Sequence, residues 1–327
     1  MPTDAEVTSD ATQKAPVAFG RALSIGLKVG VFVLILALAG LATMFVLNQQ
    51  VPSAPPLVDQ RIAKAEDAVR AAPNNVPARL ELGALYQQVG RLDDALAQYA
   101  EVLKVDPNNT DARMGHGYVL LTKGDLLGAS ADYTAVVNAN WNGEFAGADT
   151  RLEAAYYYLG LIAVKQAQPD VALANLQRAL LINPTDSDAL YQVGLALELQ
   201  GKHADAIAAW EKALTFVPVG WCEPYVQMVD SYTALGEPEE ATYARAMNLY
   251  CHGAHDDAKS RLTDLTHGAA AIHAMLGLGL IAQMEHDNAT ATEWYRKVLA
   301  KDPKNAAALT NLATLGVSPS PTAATKG

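Results

Sequence analysis

Cys251, His252, His255, Asp256 and Asp257 crowd metal-ligating residue types into one short stretch, with His267 and His273 a little further on. Structural zinc sites hold their ligands in regularly spaced pairs. His252 and His255 are the one pair here that comes near that pattern, and Gly253 between them marks a helix end. A solvated helix junction is therefore the expected reading, with no metal. A haem attachment motif, C-x-x-C-H, would require cysteine where Asn248 stands. A phosphate loop at Gly201-Lys202 fails because Ala196 occupies the earlier glycine position and His203 the final hydroxyl. The chain has no G-x-S-x-G, no H-E-x-x-H and no glycine fingerprint after a strand. No catalytic residue and no cofactor are expected, and the chain does not read as an enzyme.

Cys222 and Cys251 are the only two cysteines, and they lie equally far from the turn Gly236-Glu237. Two helices folded back at that turn would bring the thiols together at the open end. A disulfide is the corresponding expectation, and it requires an oxidising compartment.

The elements that place these residues follow from a code that recurs about every 34 residues. In the stretch 76–109 it reads Leu82-Gly83, Tyr86, Gly90, Ala95, Tyr99 and Pro107, and related units fall near 110–143, 153–186, 187–220, 222–252 and 272–305. Small residues such as Gly83 and Ala95 suit the closest approach of two antiparallel helices, and proline punctuates the unit. The pattern resembles the tetratricopeptide repeat, with Arg79 at the usual tryptophan position. The resemblance implies an all-α fold: a right-handed superhelical solenoid of antiparallel helix pairs over residues 58–316. A lone helix before Pro73 and a closing helix at 306–315 would cap the ends. The Ser-, Pro- and Thr-rich tail 317–327 is expected to be disordered.

A second feature precedes the repeats. Val29–Leu47 carries no charge, and twelve of its residues are Leu, Ile, Val or Phe. At 1.5 Å per residue it would extend roughly 28 Å, close to the hydrocarbon thickness of a bilayer. The expected layout is a cytoplasmic tail over 1–23, a transmembrane signal-anchor helix over 24–47 and a proline-rich stalk over 48–57. Lys14, Arg21 and Lys28 flank the run on its N-terminal side, which predicts a cytoplasmic N-terminus and repeats in the periplasm or outside the cell.

The net charge of −11, from 24 basic and 35 acidic residues, disfavours nucleic acid and anionic lipid surfaces as partners. What remains is recognition of a protein or peptide. The resemblance implies that first helices of successive units line a groove, here with Leu80, Met114, Tyr118, Leu121, Tyr157, Leu161, Val164, Tyr191, Leu195, Leu199, Leu276, Leu280 and Met284. Such an apolar and aromatic row suits a partner helix or an extended apolar peptide. In layout, and in the stretch Arg61–Asn109, the chain looks similar to membrane-anchored factors of cytochrome c maturation and protein secretion. The resemblance implies a scaffold or assembly factor, and the alternative is a permanent non-catalytic subunit of a membrane enzyme.

Overall fold

The computed structural model describes residues 56–140, 142–143, 146–217 and 220–319 of the 327. The expected cytoplasmic tail, membrane helix and most of the stalk lie outside these residues, as does the end of the C-terminal tail. Among the described residues no helix is long and apolar enough to cross a membrane. Contacts group Arg61–Gly327 as one unit, and its described part is all-helical.

Among the described residues every element is an α-helix except one short 3₁₀ turn at Ala146–Ala148. A lone helix, α1 (Leu57–Ala71), is followed by the hairpin α2 (Val76–Gln88) and α3 (Leu92–Val105). The next hairpins are α4 (Thr110–Thr122) with α5 (Leu126–Asn140), and α6 (Thr150–Lys165) with α7 (Pro169–Ile182). Then come α8 (Ser187–Leu199) with α9 (His203–Phe216), and α10 (Glu223–Leu235) with α11 (Pro238–Cys251). A single helix α12 (His255–Leu265) interrupts the pairing before α13 (Ala271–Met284) with α14 (Asn288–Lys301), and α15 (Ala306–Thr314) closes the described chain.

Local chemistry sets these boundaries. Pro107, Pro184 and Pro303 sit just beyond α3, α7 and α14, where they cannot continue a helix. Two residues after each proline, Asn109, Asp186 and Asn305 cap the next helix, accepting hydrogen bonds from the amides of Ala112, Ala189 and Ala308. Within the hairpins a left-handed residue reverses the chain. Gly90 does this at φ 77°, whereas Ala167 adopts φ 53° between α6 and α7 at a cost of about 1–2 kcal/mol for a residue with a Cβ.

The glycine on five of the first helices is needed for a reason the spacing alone does not give. A Cβ on Gly83 would lie 2.8 Å from the Tyr99 ring, one on Gly160 2.5 Å from Leu176, and one on Gly279 2.5 Å from Tyr295. Gly117 with Tyr133 and Gly194 with Trp210 repeat the arrangement. The small residue thus makes room for a large buried side chain sixteen positions later, rather than for a bare backbone contact. Ser231 stands at this position on α10, where it donates a hydrogen bond to Glu198 at 2.7 Å. Where the first helix places glutamine one turn after the glycine, the tyrosine hydroxyl is satisfied: Tyr99 donates to Gln87 at 3.2 Å and Tyr295 to Gln283 at 2.8 Å. Leu121 occupies that place on α4, and the fully buried Tyr133 hydroxyl finds no partner among the described residues.

First helices of successive hairpins also touch one another directly, α2 on α4, α4 on α6 and α6 on α8. Elements that meet across a repeat lie on the shorter, inner side of the stack, so the first helices line its inner face up to α8. The odd helix α12 changes this alternation. Beyond it, α13 packs on α11, with Gly277 lying against Met247 and Tyr243. Helix α15 meets α9, a second helix.

Candidate functional site

The inner faces of α2, α4, α6 and α8 carry Leu80, Met114, Leu121, Leu161, Val164 and Leu195, all partly exposed. Met114, Leu121, Val164 and Leu195 also pack against the core, whose fully buried residues on α6 are Leu152, Ala155, Gly160, Ile162 and Ala163. Tyr118 is 39 % exposed and Leu199 49 %. Tyr157 and Tyr191 are partly exposed as well.

Each of these rings meets another aromatic side chain. Tyr158 stacks on buried Tyr133 at 4.8 Å between centroids and meets Tyr157 and Tyr118 edge-on at 5.2 and 6.1 Å. Tyr191 packs against Trp221 at 5.4 Å. An acidic edge borders this row. Burial, then the hydrogen bond and charge of Asp186, push the Glu153 carboxyl up to about 7. Burial and the Asp186 charge likewise raise Asp188.

The sequence-predicted row does not run on unbroken. Leu276 and Leu280 on α13 line a separate cavity of about 440 Å³, together with side chains of α9, α10, α11 and α15. Leu280 is only 4 % exposed and belongs to the core, which corrects its expected place on an open groove. The reason is α12, which turns α13 onto α11. Met284, on the same helix, is partly exposed and packs on that core.

The polar side of the cavity was not foreseen. His273 bridges two carboxylates, with Nδ1 2.7 Å from Glu240 and Nε2 3.2 Å from Glu211, and its ring stacks on Tyr243. Tyr232 donates to Glu211 at 3.1 Å. Burial opposes protonation of His273, but hydrogen bonds and charge from Glu211 and Glu240 outweigh it and hold the imidazole at about 10. The folded value thus stands above the usual unfolded value of about 6.5. This contribution to stability is fully present below the unfolded value and is lost as pH rises through the folded one. Denaturant midpoints measured from pH 6 to 10 should therefore fall with rising pH, and His273→Gln should flatten that part of the profile.

A second buried network joins α4 to α5. Asp132, 6 % exposed, receives Arg113 at 2.9 Å and lies 2.6 Å from His116 Nδ1. Its hydrophilic residue types gave no sequence signal of burial.

Cys222 and Cys251 are joined, with Cα atoms 5.9 Å apart, across the open end of the hairpin α10–α11. His252 lies 2.8 Å from the Asn248 carbonyl through Nδ1, and the His255 ring stacks on Tyr250. His273 is engaged elsewhere by its two glutamates. No group of three or more His, Cys, Asp or Glu among the described residues could hold a metal ion.

The family model of the tetratricopeptide repeat matches residues 80–145 and 157–219. Over these stretches the chain is similar to the tetratricopeptide repeat. Repeats of this kind are typically non-catalytic scaffolds that bind protein or peptide partners. The helical array is similar to the crystal structure of PilW, a widely conserved type IV pilus biogenesis factor. That match is 21% identical and covers 68% of this chain and 96% of that one, with a TM-score of 0.53. YrrB, a tetratricopeptide repeat protein with an unusual peptide-binding site, is 23% identical over 59% of this chain and 95% of its own, with a TM-score of 0.48. A tetratricopeptide repeat protein from Parabacteroides merdae is 16% identical over 79% of this chain and 92% of its own, with a TM-score of 0.48. A comparison with curated proteins finds no match.

Proposed function

We propose that the chain is a membrane-anchored scaffold that captures an apolar or aromatic segment of a partner protein along the inner faces of α2, α4, α6 and α8. The observation that carries this reading is the row of Tyr118, Tyr157, Tyr191 and their aliphatic neighbours, left partly exposed along successive first helices. Aromatic side chains bury large areas for little conformational entropy, and partner energy concentrates on such anchors. Leu, Met and Tyr adapt to a peptide without demanding one polar match.

Assembly or maturation of an envelope protein complex is the role that fits a recognition surface held beside a membrane. Support for the anchor is the uncharged run Val29–Leu47 with its basic N-terminal flank. The joined cysteines agree with an oxidising compartment for the repeats. Protease added to intact spheroplasts should degrade the repeats while an epitope at the N-terminus stays protected. Protection of the repeats in that experiment, or full-length chain recovered in the soluble fraction, would refute the membrane-anchored reading.

A further inference from the structure

An acidic ledge runs beside the tyrosine row. Asp111, Glu153, Asp188 and Glu223 stand in the first turns of α4, α6, α8 and α10, and Asp186 caps α8 by accepting from the amides of Asp188 and Ala189. Carboxylates at helix N-termini suit the helix dipole, but the dipole does not account for their neighbours. Glu153 lies one turn before Tyr157 and Asp188 one turn before Tyr191, so acid and ring share a face of each helix. Burial, and next the charge of Asp188, raise the Tyr157 hydroxyl, and burial followed by the charge of Glu223 raises that of Tyr191. Rings and carboxylates thus stand in one another's field.

Little positive charge answers this ledge. Arg151 pairs with Asp111 at 3.2 Å, and among the described residues Glu153, Asp186, Asp188 and Glu223 form no ion pair. Glu153 and Asp186 are hydrogen-bonded to each other, two carboxyl groups held by one proton. The carboxylates do not converge as metal ligands do, since no group of three or more His, Cys, Asp or Glu among the described residues could hold a metal ion. A cation with a longer reach suits them better, and the ledge has a seat for one. A recess of about 460 Å³ opens at the start of α8, lined by Asp188 and by Trp221, whose ring packs on Tyr191 at 5.4 Å. A carboxylate and an indole lining one recess attract the same group: a guanidinium can stack on the ring while its N–H groups meet the carboxylate.

We infer that the partner segment captured along this row is basic as well as apolar, and that it seats an arginine side chain between Asp188 and Trp221. The inference rests on the reading of the chain as a partner-binding scaffold and specifies the chemistry of what it captures. Apolar side chains of the segment cover Tyr118, Tyr157 and Tyr191, and its cation enters the recess. Glu153, Asp186 and Glu223 add a field that favours basic segments and repels acidic ones. The net charge of −11 works in the same direction.

The test uses the full-length chain in lipid nanodiscs, with empty nanodiscs as control, and ligand-observed NMR titration of blocked peptides of leucine, tyrosine, alanine and serine that carry one arginine. The arginine peptide should bind saturably. Its citrulline version, nearly the same shape without the charge, should bind about five- to tenfold more weakly, the combined effect of one partly exposed ion pair and one cation–π contact. Asp188→Asn should narrow that ratio and Asp188→Lys should erase it; Asp188 is exposed, so neither disturbs the core. Asp205→Asn, at an exposed acid in the first turn of α9, should leave the ratio unchanged. Absent saturation, equal affinity for the two peptides, a ratio unaltered by both Asp188 variants, or one narrowed as much by Asp205→Asn would each overturn the seat. Calcium displacing the arginine peptide more than sodium at equal ionic strength would assign the ledge to a divalent ion and overturn it too. The two readings fail separately. Failure of the scaffold shows as partner capture that survives loss of the three tyrosines, and failure of the seat as loss of the difference between arginine and citrulline.

Discussion

Changing Tyr118, Tyr157 and Tyr191 together to Ser is expected to abolish partner capture while the helices stay folded. The three side chains lie on α4, α6 and α8, whose inner faces follow one another, and all three keep exposed surface. Aromatic anchors at the centre of an interface cost about 2 kcal/mol or more each on truncation, so even one such loss weakens binding by more than an order of magnitude. Tyr157 and Tyr118 meet Tyr158, and Tyr191 meets Trp221, and such ring pairs are worth about 0.5–1.5 kcal/mol each. The buried residues opposite the repeat glycines, Tyr133, Leu176 and Trp210, remain in place. Affinity capture from native membranes, with circular dichroism on the same preparations, measures both. Undiminished capture with the triple variant would remove the row from the function.

Removing the Cys222–Cys251 bridge is expected to have the largest effect on stability of any change outside the core. The bridge closes a loop with a sequence separation of 29, and loop closure of that length corresponds to about 3–4 kcal/mol in the chain-entropy treatment. A unit of this size converts that into a melting temperature lower by roughly 10 °C. The effect should concentrate in α10 and α11, because stacked repeats unfold by segments coupled to their neighbours. Calorimetry of the repeats with and without reductant, and of the Cys222→Ser, Cys251→Ser double variant, reads it out. Equal melting temperatures would show that the bridge adds nothing, and two free thiols in material taken from the native membrane would show that it does not form there.

The parts of this fold that were legible in the sequence are those written in local spacing. Pro107, Pro184 and Pro303 close units and Asn109, Asp186 and Asn305 open the next, so helix boundaries could be read within a few residues. The pairing of Cys222 with Cys251 depended only on counting outward from Gly236. The role of Gly83 was half legible. Its smallness was informative, but that it accommodates the Tyr99 ring rather than a neighbouring backbone required the packing.

What stayed hidden depends on contacts between distant repeats. His273 meets Glu211 across several helices, and nothing in the phase of the repeat brings them together. Leu280 was assigned to an open groove because its position in the unit is the same as that of Leu195, but α12 shifts the alternation and buries it. Asp132 gave no signal because an aspartate within a helix reads as a solvated residue, and its burial depends on Arg113 and His116 one helix earlier.

The most direct test of partner capture along the first helices is photocrosslinking in living cells. A photoreactive amino acid is placed at Leu161 on the inner face of α6 or, as a control, at Leu181 on α7, which is 73 % exposed. The expected result is a discrete crosslinked protein from position 161 whose modified peptide is apolar or aromatic, with none from position 181. Crosslinks of equal yield at both positions, or from 181 alone, would contradict recognition along this face.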